Sequence, residues 1–168
     1  DSTYRRGVLF ILDPTPRQRY AKIVGRFYGP QPQYIAAVTG TNGKSSVAEF
    51  TRQIWKICGQ RAASIGTLGL ISPRNSKEVR LTTPDPIDIH KTLTALRQDR
   101  VEHVIVEASS HGLTQFRVDG IDIKVAAFTN LSRDHLDYHG TMDDYFNAKL
   151  RLFTELLNPE GVAVINSD

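Results

Sequence analysis

The chain has 168 residues, 40% hydrophobic and 23% charged, with a net charge of +3 and a pI near 9.1. That length suits about one domain and buries roughly 70% of the unfolded surface; no apolar run approaches the about 20 residues of a membrane helix, and no signal peptide is read. The single cysteine, Cys58, excludes a disulfide framework and fits a reducing, cytoplasmic setting, while scattered basic residues argue against nucleic-acid binding and suit small anions.

Val8 to Leu12 is a short apolar run, and Asp13-Pro14 then offers a helix cap with proline at the first helical position. Tyr20, Ile23, Val24 and Phe27 recur at helical spacing, and Gly29-Pro30-Gln31-Pro32 reads as a linker. A domain boundary is therefore expected near residue 33. From Tyr34 onward strands alternate with amphipathic helices: a strand at Tyr34 to Val38, then a helix from Ser45 to Cys58 whose apolar face carries Val47, Phe50, Ile54 and Cys58, stopped by Gly59. A strand at Ala62 to Ile65 precedes an irregular stretch. Pro86 opens a helix with Ile89, Leu93 and Leu96 on one side. Val104 to Val106 and Val125 to Phe128 read as strands buried on both faces. Thr141, with Asp144 three residues on, caps a long helix to Leu157, and Gly161 to Ile165 forms the last strand. The alternation predicts an α/β fold, a mostly parallel sheet flanked by helices, with ligands at the carboxyl ends of its strands.

The first strand ends in Val38-Thr39-Gly40-Thr41-Asn42-Gly43-Lys44-Ser45-Ser46. A strand that enters a tight turn and leaves as a helix aims free N–H groups at one spot, where the helix dipole also favours an anion. Lys44 adds a positive charge for outer phosphates, and the Ser45 hydroxyl is placed for a magnesium ion. Only Thr41 and Asn42 separate the two glycines, fewer than in the common P-loop. The plainer reading is an Asn-Gly turn before a helix.

Other polar clusters follow the later strands and so share that sheet edge. Glu107, in Glu107-Ala108-Ser109-Ser110-His111-Gly112, can reach a magnesium beside Ser45, or can simply cap a turn. His135, in Thr129-Asn130-Leu131-Ser132-Arg133-Asp134-His135-Leu136-Asp137-Tyr138-His139, is a candidate metal or phosphate ligand, with a surface histidine as the alternative. His90 and His103 are placed on the surface and given no role. Lys149 shares a helical stripe with Tyr145, Leu152 and Leu156. A desolvated amine there can take up carbon dioxide as a carbamate; a lysine snorkelling at a helix edge is the other reading. Thr82 and Thr83 either cap the helix after them or hold a polar substrate, and Arg117, near Gln115, offers a fork for a carboxylate or phosphate.

Together, Gly40 to Ser45, Leu81-Thr82-Thr83-Pro84, Glu107 to Leu113, Phe128 to His139 and Ala148-Lys149 resemble the Mur ligases of peptidoglycan synthesis, nearest to the MurE type that adds the third stem-peptide residue. The resemblance implies a P-loop-type Mur ligase central domain, truncated. Residues 1–33 would be the tail of an amino-terminal UDP-binding domain plus linker, and 34–168 the ATP-binding domain, incomplete at its carboxyl end. Gly40, Thr41, Asn42, Gly43, Lys44, Ser45 and Ser46 would bind ATP. Ser45 and Glu107 would hold one Mg2+, and Glu107, His135 and a carbamylated Lys149 a second, with Lys44, Glu107, His135 and Lys149 as catalytic residues. Thr82, Thr83, Ser109, Gln115 and Arg117 would bind UDP-MurNAc-L-Ala-D-Glu.

The implied reaction activates a carboxylate as an acyl phosphate for attack by an amino acid, meso-diaminopimelate by expectation. A cytoplasmic monomer without nucleic-acid or membrane partners is expected at full length, and the fragment alone is expected not to complete ligation. Ser45-Ser46 departs from a common Thr-Thr, and Leu81 from an asparagine found in some members. A folylpolyglutamate synthetase-like ligase and a non-catalytic nucleotide-binding module are the alternatives.

Overall fold

A computed structural model describes residues 2–5 and 7–167, so Asp168, the expected last residue of the truncated domain, lies outside the described residues. An antiparallel pair, β1 (Ser2–Arg5) and β2 (Val8–Ile11), precedes helix α1 (Pro16–Tyr28). Among the described residues, seven strands then form one sheet: β3 (Tyr34–Thr39), β4 (Ala62–Gly66), β5 (Gly69–Ile71), β6 (Ser76–Lys77), β7 (His103–Glu107), β8 (Ile123–Phe128) and β9 (Leu157–Ile165), in the order β6-β5-β4-β7-β3-β8-β9. The five strands from β4 to β9 in that order are parallel. Strands β5 and β6 extend the edge antiparallel, inside the stretch read as irregular; they are too short to show an alternating pattern.

Helix α2 (Lys44–Ile57) crosses one face of the sheet. Helices α3 (Pro86–Gln98), α4 (Ser110–Thr114), α5 (Leu136–His139) and α6 (Met142–Arg151) follow in turn. The main core packs Ile89, Leu93, Leu113 and Leu152 against Ile35, Val104, Val106 and Ile123. Each such side chain contributes about 1.5–3 kcal/mol of apolar burial. The second, smaller core sets Ala48, with Val47 and Trp55 partly buried, on Ala36, Val38 and Ile105.

That second core corrects the expected α2 face. Phe50 and Ile54 are 62% and 58% exposed, and Cys58 is exposed too. Phe50 lies about 200° round the helix from Ala48, and the small Ala48 is what lets the helix axis approach the strands. The expected helix to Leu157 is also shorter. Thr141 does cap it, accepting from the Asp144 amide at 3.1 Å, but after Arg151 the chain widens into a π turn (Leu152–Leu156) and Leu157 already begins β9. Helical periodicity cannot register that change of pitch.

Helix α1 is docked on the sheet domain. Thr94 Oγ1 donates to the Tyr28 carbonyl (3.1 Å), Gln31 Nε2 to the Gly120 carbonyl (2.7 Å), and Gln18 Nε2 to Asp119 (3.0 Å). Arg151 Nη2 donates to the same Asp119 oxygen at 2.6 Å and Nη1 to the Leu113 carbonyl at 2.8 Å. Asp119 is fully buried and Arg151 is 8% exposed. Arg151→Met is expected to destabilise the fold by about 3–5 kcal/mol, because it strands the buried carboxylate; urea unfolding measures it, and adding Asp119→Asn should recover part of the loss.

His90, expected on the surface, is 1% exposed at the contact between α1 and α3. Its Nε2 lies 3.0 Å from the Asp119 carbonyl, and a Cβ on Gly25 would fall 2.9 Å from its ring. Apolar surroundings explain its place: an imidazole fills the gap that Gly25 and Gly120 leave. Burial holds its pKa below the ordinary 6.5. The unfolded chain therefore gains a proton near pH 6.5 that the fold refuses until lower pH, so stability falls as pH drops through 6.5. His90→Gln is expected to flatten that part of the pH dependence of the urea midpoint between about pH 7 and 5.

Candidate active site

Strand β3 is buried to its end at Thr39, and the chain then turns through Gly40 to Gly43 into α2. The turn is clamped by the segment leaving β8. Thr41 N donates to the Asn130 carbonyl (2.9 Å), Asn42 N to Asn130 Oδ1 (3.0 Å), and Thr129 Oγ1 to the Asn42 carbonyl (2.7 Å). Gly40 has to be glycine, since a Cβ there would lie 1.9 Å from Thr129 Oγ1. Thr41 and Asn42 amides are thus committed to Asn130, which leaves the amides opening α2, up to Ser46, as the anion donors. Lys44 Nζ donates back to the carbonyls of Gly40 (3.0 Å) and Thr41 (2.8 Å). Burial lowers its pKa, against the attraction of Glu107 and Asp134.

Glu107 ends β7 and is 2% exposed. Its Oε2 accepts from Ser45 Oγ (2.9 Å) and Thr67 Oγ1 (3.2 Å), and its Oε1 from Thr67 N (2.9 Å). All three donors are neutral, and none cancels the carboxylate's charge. A hydroxyl and a carboxylate in contact beside a phosphate cradle fit a hard cation such as Mg2+. Among the described residues, no cluster of three or more His, Cys, Asp and Glu side chains is arranged to hold a metal.

Lys149 is 1% exposed, which removes the snorkelling reading. Its Nζ donates to the Gly40 carbonyl at 2.7 Å and sits 4.3 Å from the centre of the Tyr145 ring. Desolvation, then the charge on Lys44, lower its pKa to about 7, with Asp134 opposing. Much of the amine is therefore neutral near pH 7. The Tyr145 hydroxyl lies 3.2 Å from Thr41 Oγ1, which donates to the Ser132 carbonyl (3.2 Å) and accepts from Ser132 N (3.0 Å). With the threonine proton on Ser132, Tyr145 is the donor.

His135 stands at the start of α5 with φ 52° and is about half exposed. Its ring meets His111 edge-on at 4.9 Å and its Nε2 is 3.4 Å from Asp134. It makes no hydrogen bond to Glu107 or Lys149; Tyr145 stands near both His135 and Lys149, with its ring 6.2 Å from that of His135.

The five candidate substrate residues form one network. Thr83 Oγ1 donates to the Glu107 carbonyl (2.8 Å) and accepts from Ser109 N (2.9 Å), with Ser109 Oγ at 3.0 Å. Arg117 Nη1 donates to the Thr83 carbonyl (3.0 Å) and Nη2 to Gln115 (2.5 Å), and Gln115 donates to Tyr138 (3.1 Å). Thr82 Oγ1 is 3.0 Å from Thr67 Oγ1. The Thr83 hydroxyl is saturated by the chain itself, whereas Thr82 is partly open. Sequence reading places Asn130 on this edge without a role of its own and misses Thr67 and Gly66; Thr67 carries a usable signal, since it directly follows β4 on the edge where the other clusters lie.

The family profile described as the Mur ligase middle domain matches residues 38–168. The chain belongs to the Mur ligase family. A UDP-N-acetylmuramoyl-L-alanyl-D-glutamate--2,6-diaminopimelate ligase of Bradyrhizobium diazoefficiens is 53% identical over 161 residues, covering 96% of this chain and 33% of the relative. The protein of the same name from Zymomonas mobilis is 52% identical over 162 residues, again 96% and 33%. The chain thus spans about a third of the length of the curated Mur ligases it matches. A solved structure bearing that ligase name superposes with a TM-score of 0.83 at 39% identity, over 94% of this chain and 32% of the other. E. coli FolC with DHPP and ADP shares the fold alone, at TM-score 0.63 and 19% identity over 92% of this chain and 42% of FolC.

In this Mur ligase domain the Thr41 hydroxyl joins the phosphate turn to the segment after β8 and to α6. Thr41→Val is expected to cost about 1–3 kcal/mol by leaving the Ser132 amide and the Tyr145 hydroxyl unpaired; Tyr145→Phe, which leaves Thr41 its Ser132 partners, should cost about 1 kcal/mol. Urea denaturation of the two variants checks the order.

Proposed function

We propose that the chain is the nucleotide-binding part of an ATP-dependent ligase that joins an amino acid, meso-diaminopimelate, to UDP-MurNAc-L-Ala-D-Glu as the third stem-peptide residue. The observation that carries this is the Ser45–Glu107 pair, 2.9 Å apart at the mouth of the phosphate turn. Relatives at 52–53% identity, named for this ligase reaction, support the substrate class. Residues 1–33 are, on this reading, the end of a UDP-binding domain plus its linker, and residues 34–168 belong to the ATP-binding domain of a cytoplasmic, monomeric protein.

Gly40 to Ser46 bind the nucleotide, with the α2 amides and Lys44 on its phosphates. Ser45 and Glu107 would hold one Mg2+, and Glu107, His135 and a carbamylated Lys149 a second; such ions would supply charge neutralisation at the transferred phosphoryl group. A carboxylate oxygen of the D-glutamyl residue attacks the γ-phosphorus, ADP departs, and an acyl phosphate remains. The incoming amine nitrogen then attacks the acyl carbon, inorganic phosphate leaves and the nitrogen gives up a proton. Thr82, Thr83, Ser109, Gln115 and Arg117 hold the acceptor, with Lys44 steadying charge on the phosphoryl group. The carbamate forms when the neutral Lys149 amine attacks carbon dioxide and releases one proton. Its buried amine with a pKa of about 7 supports that step.

The test has two arms. Titration of the 168-residue chain with ADP is expected to show magnesium-dependent binding that Glu107→Gln removes; binding indifferent to magnesium and to Glu107 points to a non-catalytic nucleotide module. In the longer protein, ATP cleavage should require the UDP-muramoyl dipeptide and not a folate, Lys149→Ala should lose activity that a short carboxylic acid restores, and 13C-bicarbonate should label wild type but not Lys149→Ala. Absence of both rescue and label sinks the carbamate.

A further inference from the structure

We propose that Thr67 is a positioning residue that orients the Glu107 carboxylate for its cation and ties it to Thr82; this rests on the MgATP reading of the site. Two of the three hydrogen bonds to that carboxylate come from Thr67, its amide to Oε1 at 2.9 Å and its hydroxyl to Oε2 at 3.2 Å. One donor on each oxygen fixes the carboxylate plane, which a single bond from Ser45 does not.

Backbone on the β4 side completes the cradle. A Cβ at Gly66 would lie 2.0 Å from Glu107 Oε1 and 2.4 Å from its Cδ, so the carboxylate rests directly against the main chain at the end of β4. Any side chain at residue 66 would push it out of place. Thr67 is thus the first residue after β4 able to carry a donor to both oxygens.

Its hydroxyl has one proton. With that proton on Glu107, the oxygen accepts from Thr82 Oγ1 at 3.0 Å. The neighbouring Thr83 hydroxyl meanwhile donates to the Glu107 carbonyl at 2.8 Å. Residues 82 and 83 therefore hold Glu107 from both ends, the carboxylate through Thr67 and the main chain directly. Thr82, on the acceptor side of the site, and the metal carboxylate share one hydroxyl, so ordering either group orders the other.

Thr67→Val keeps the shape and the amide but loses the hydroxyl, while Thr67→Ser keeps both donors. In calorimetric titrations of the 168-residue chain with ADP, Thr67→Val is expected to raise the magnesium concentration for half-maximal binding about tenfold, as for one hydrogen bond to a charged group. Binding of ADP in EDTA should not change, and Thr67→Ser should stay within about twofold of wild type. A valine variant with the wild-type magnesium requirement, or a serine variant as impaired as valine, overturns the inference while leaving the MgATP reading intact. Wild-type binding that ignores magnesium overturns both. A valine variant that fails to fold leaves the serine variant decisive: a serine variant needing as little magnesium as wild type supports the hydroxyl's role, and one needing tenfold more overturns it.

Discussion

Two lysine amines converge on one carbonyl oxygen. Lys44 and Lys149 both donate to Gly40 O, at 3.0 Å and 2.7 Å, and neither is free to move off without losing its bond. The arrangement is repulsive between the lysines, and it accounts for several features at once. Lys149, the more buried, has its pKa brought to about 7, first by desolvation and then by Lys44. The excess positive charge at the turn makes an arriving polyphosphate favourable, beyond what the α2 amides and dipole provide. A phosphate that draws Lys44 outward also removes one of the two causes that keep Lys149 neutral, so nucleotide and lysine chemistry are linked through a single main-chain atom.

Glu107 is the opposite case, a buried carboxylate held only by neutral donors. Burying an uncancelled charge is costly unless it is hydrogen-bonded, and Ser45 with Thr67 supplies those bonds without consuming the charge. The turn thus presents positive charge on one side and negative charge on the other, a separation that suits a metal-bound anion better than either ion alone.

Parallel-sheet topology explains how much could be read from sequence. Continuous β-branched runs such as Val104 to Val106 mark strands buried on both faces, and in such a sheet everything just past a strand's carboxyl end shares one edge. Glu107, Thr129, Asn130 and the phosphate turn were placed together by that rule alone. What escaped was anything decided by packing. Phe50 and Ile54 form a better hydrophobic stripe than Ala48, yet the sheet takes the smaller residue, because close approach depends on volume and periodicity does not measure it. His90 looks like a surface residue in sequence, and only the missing side chains of Gly25 and Gly120 make room to bury it. The depth of Lys149 is likewise a matter of packing: periodicity leaves a desolvated and a snorkelling amine both open, and the structure has it 1% exposed.

The support of the site extends further than its own residues. Arg151 lies two residues beyond Lys149 on α6, and it is fixed by a fully buried Asp119 whose same oxygen also accepts from Gln18 on α1. Asp119 in turn offers its carbonyl to His90 on α3, which packs against Gly25 of α1. Helix α1 and the Lys149 helix therefore both bond to one carboxylate. Without the Gln18 bond, that Asp119 oxygen would be held by Arg151 alone. Since Lys149 meets Gly40 through one bond of 2.7 Å, a movement of even an ångström along α6 is enough to break it. Helix α1 is in this way tied, through Asp119 and Arg151, to the helix that carries the lysine amine.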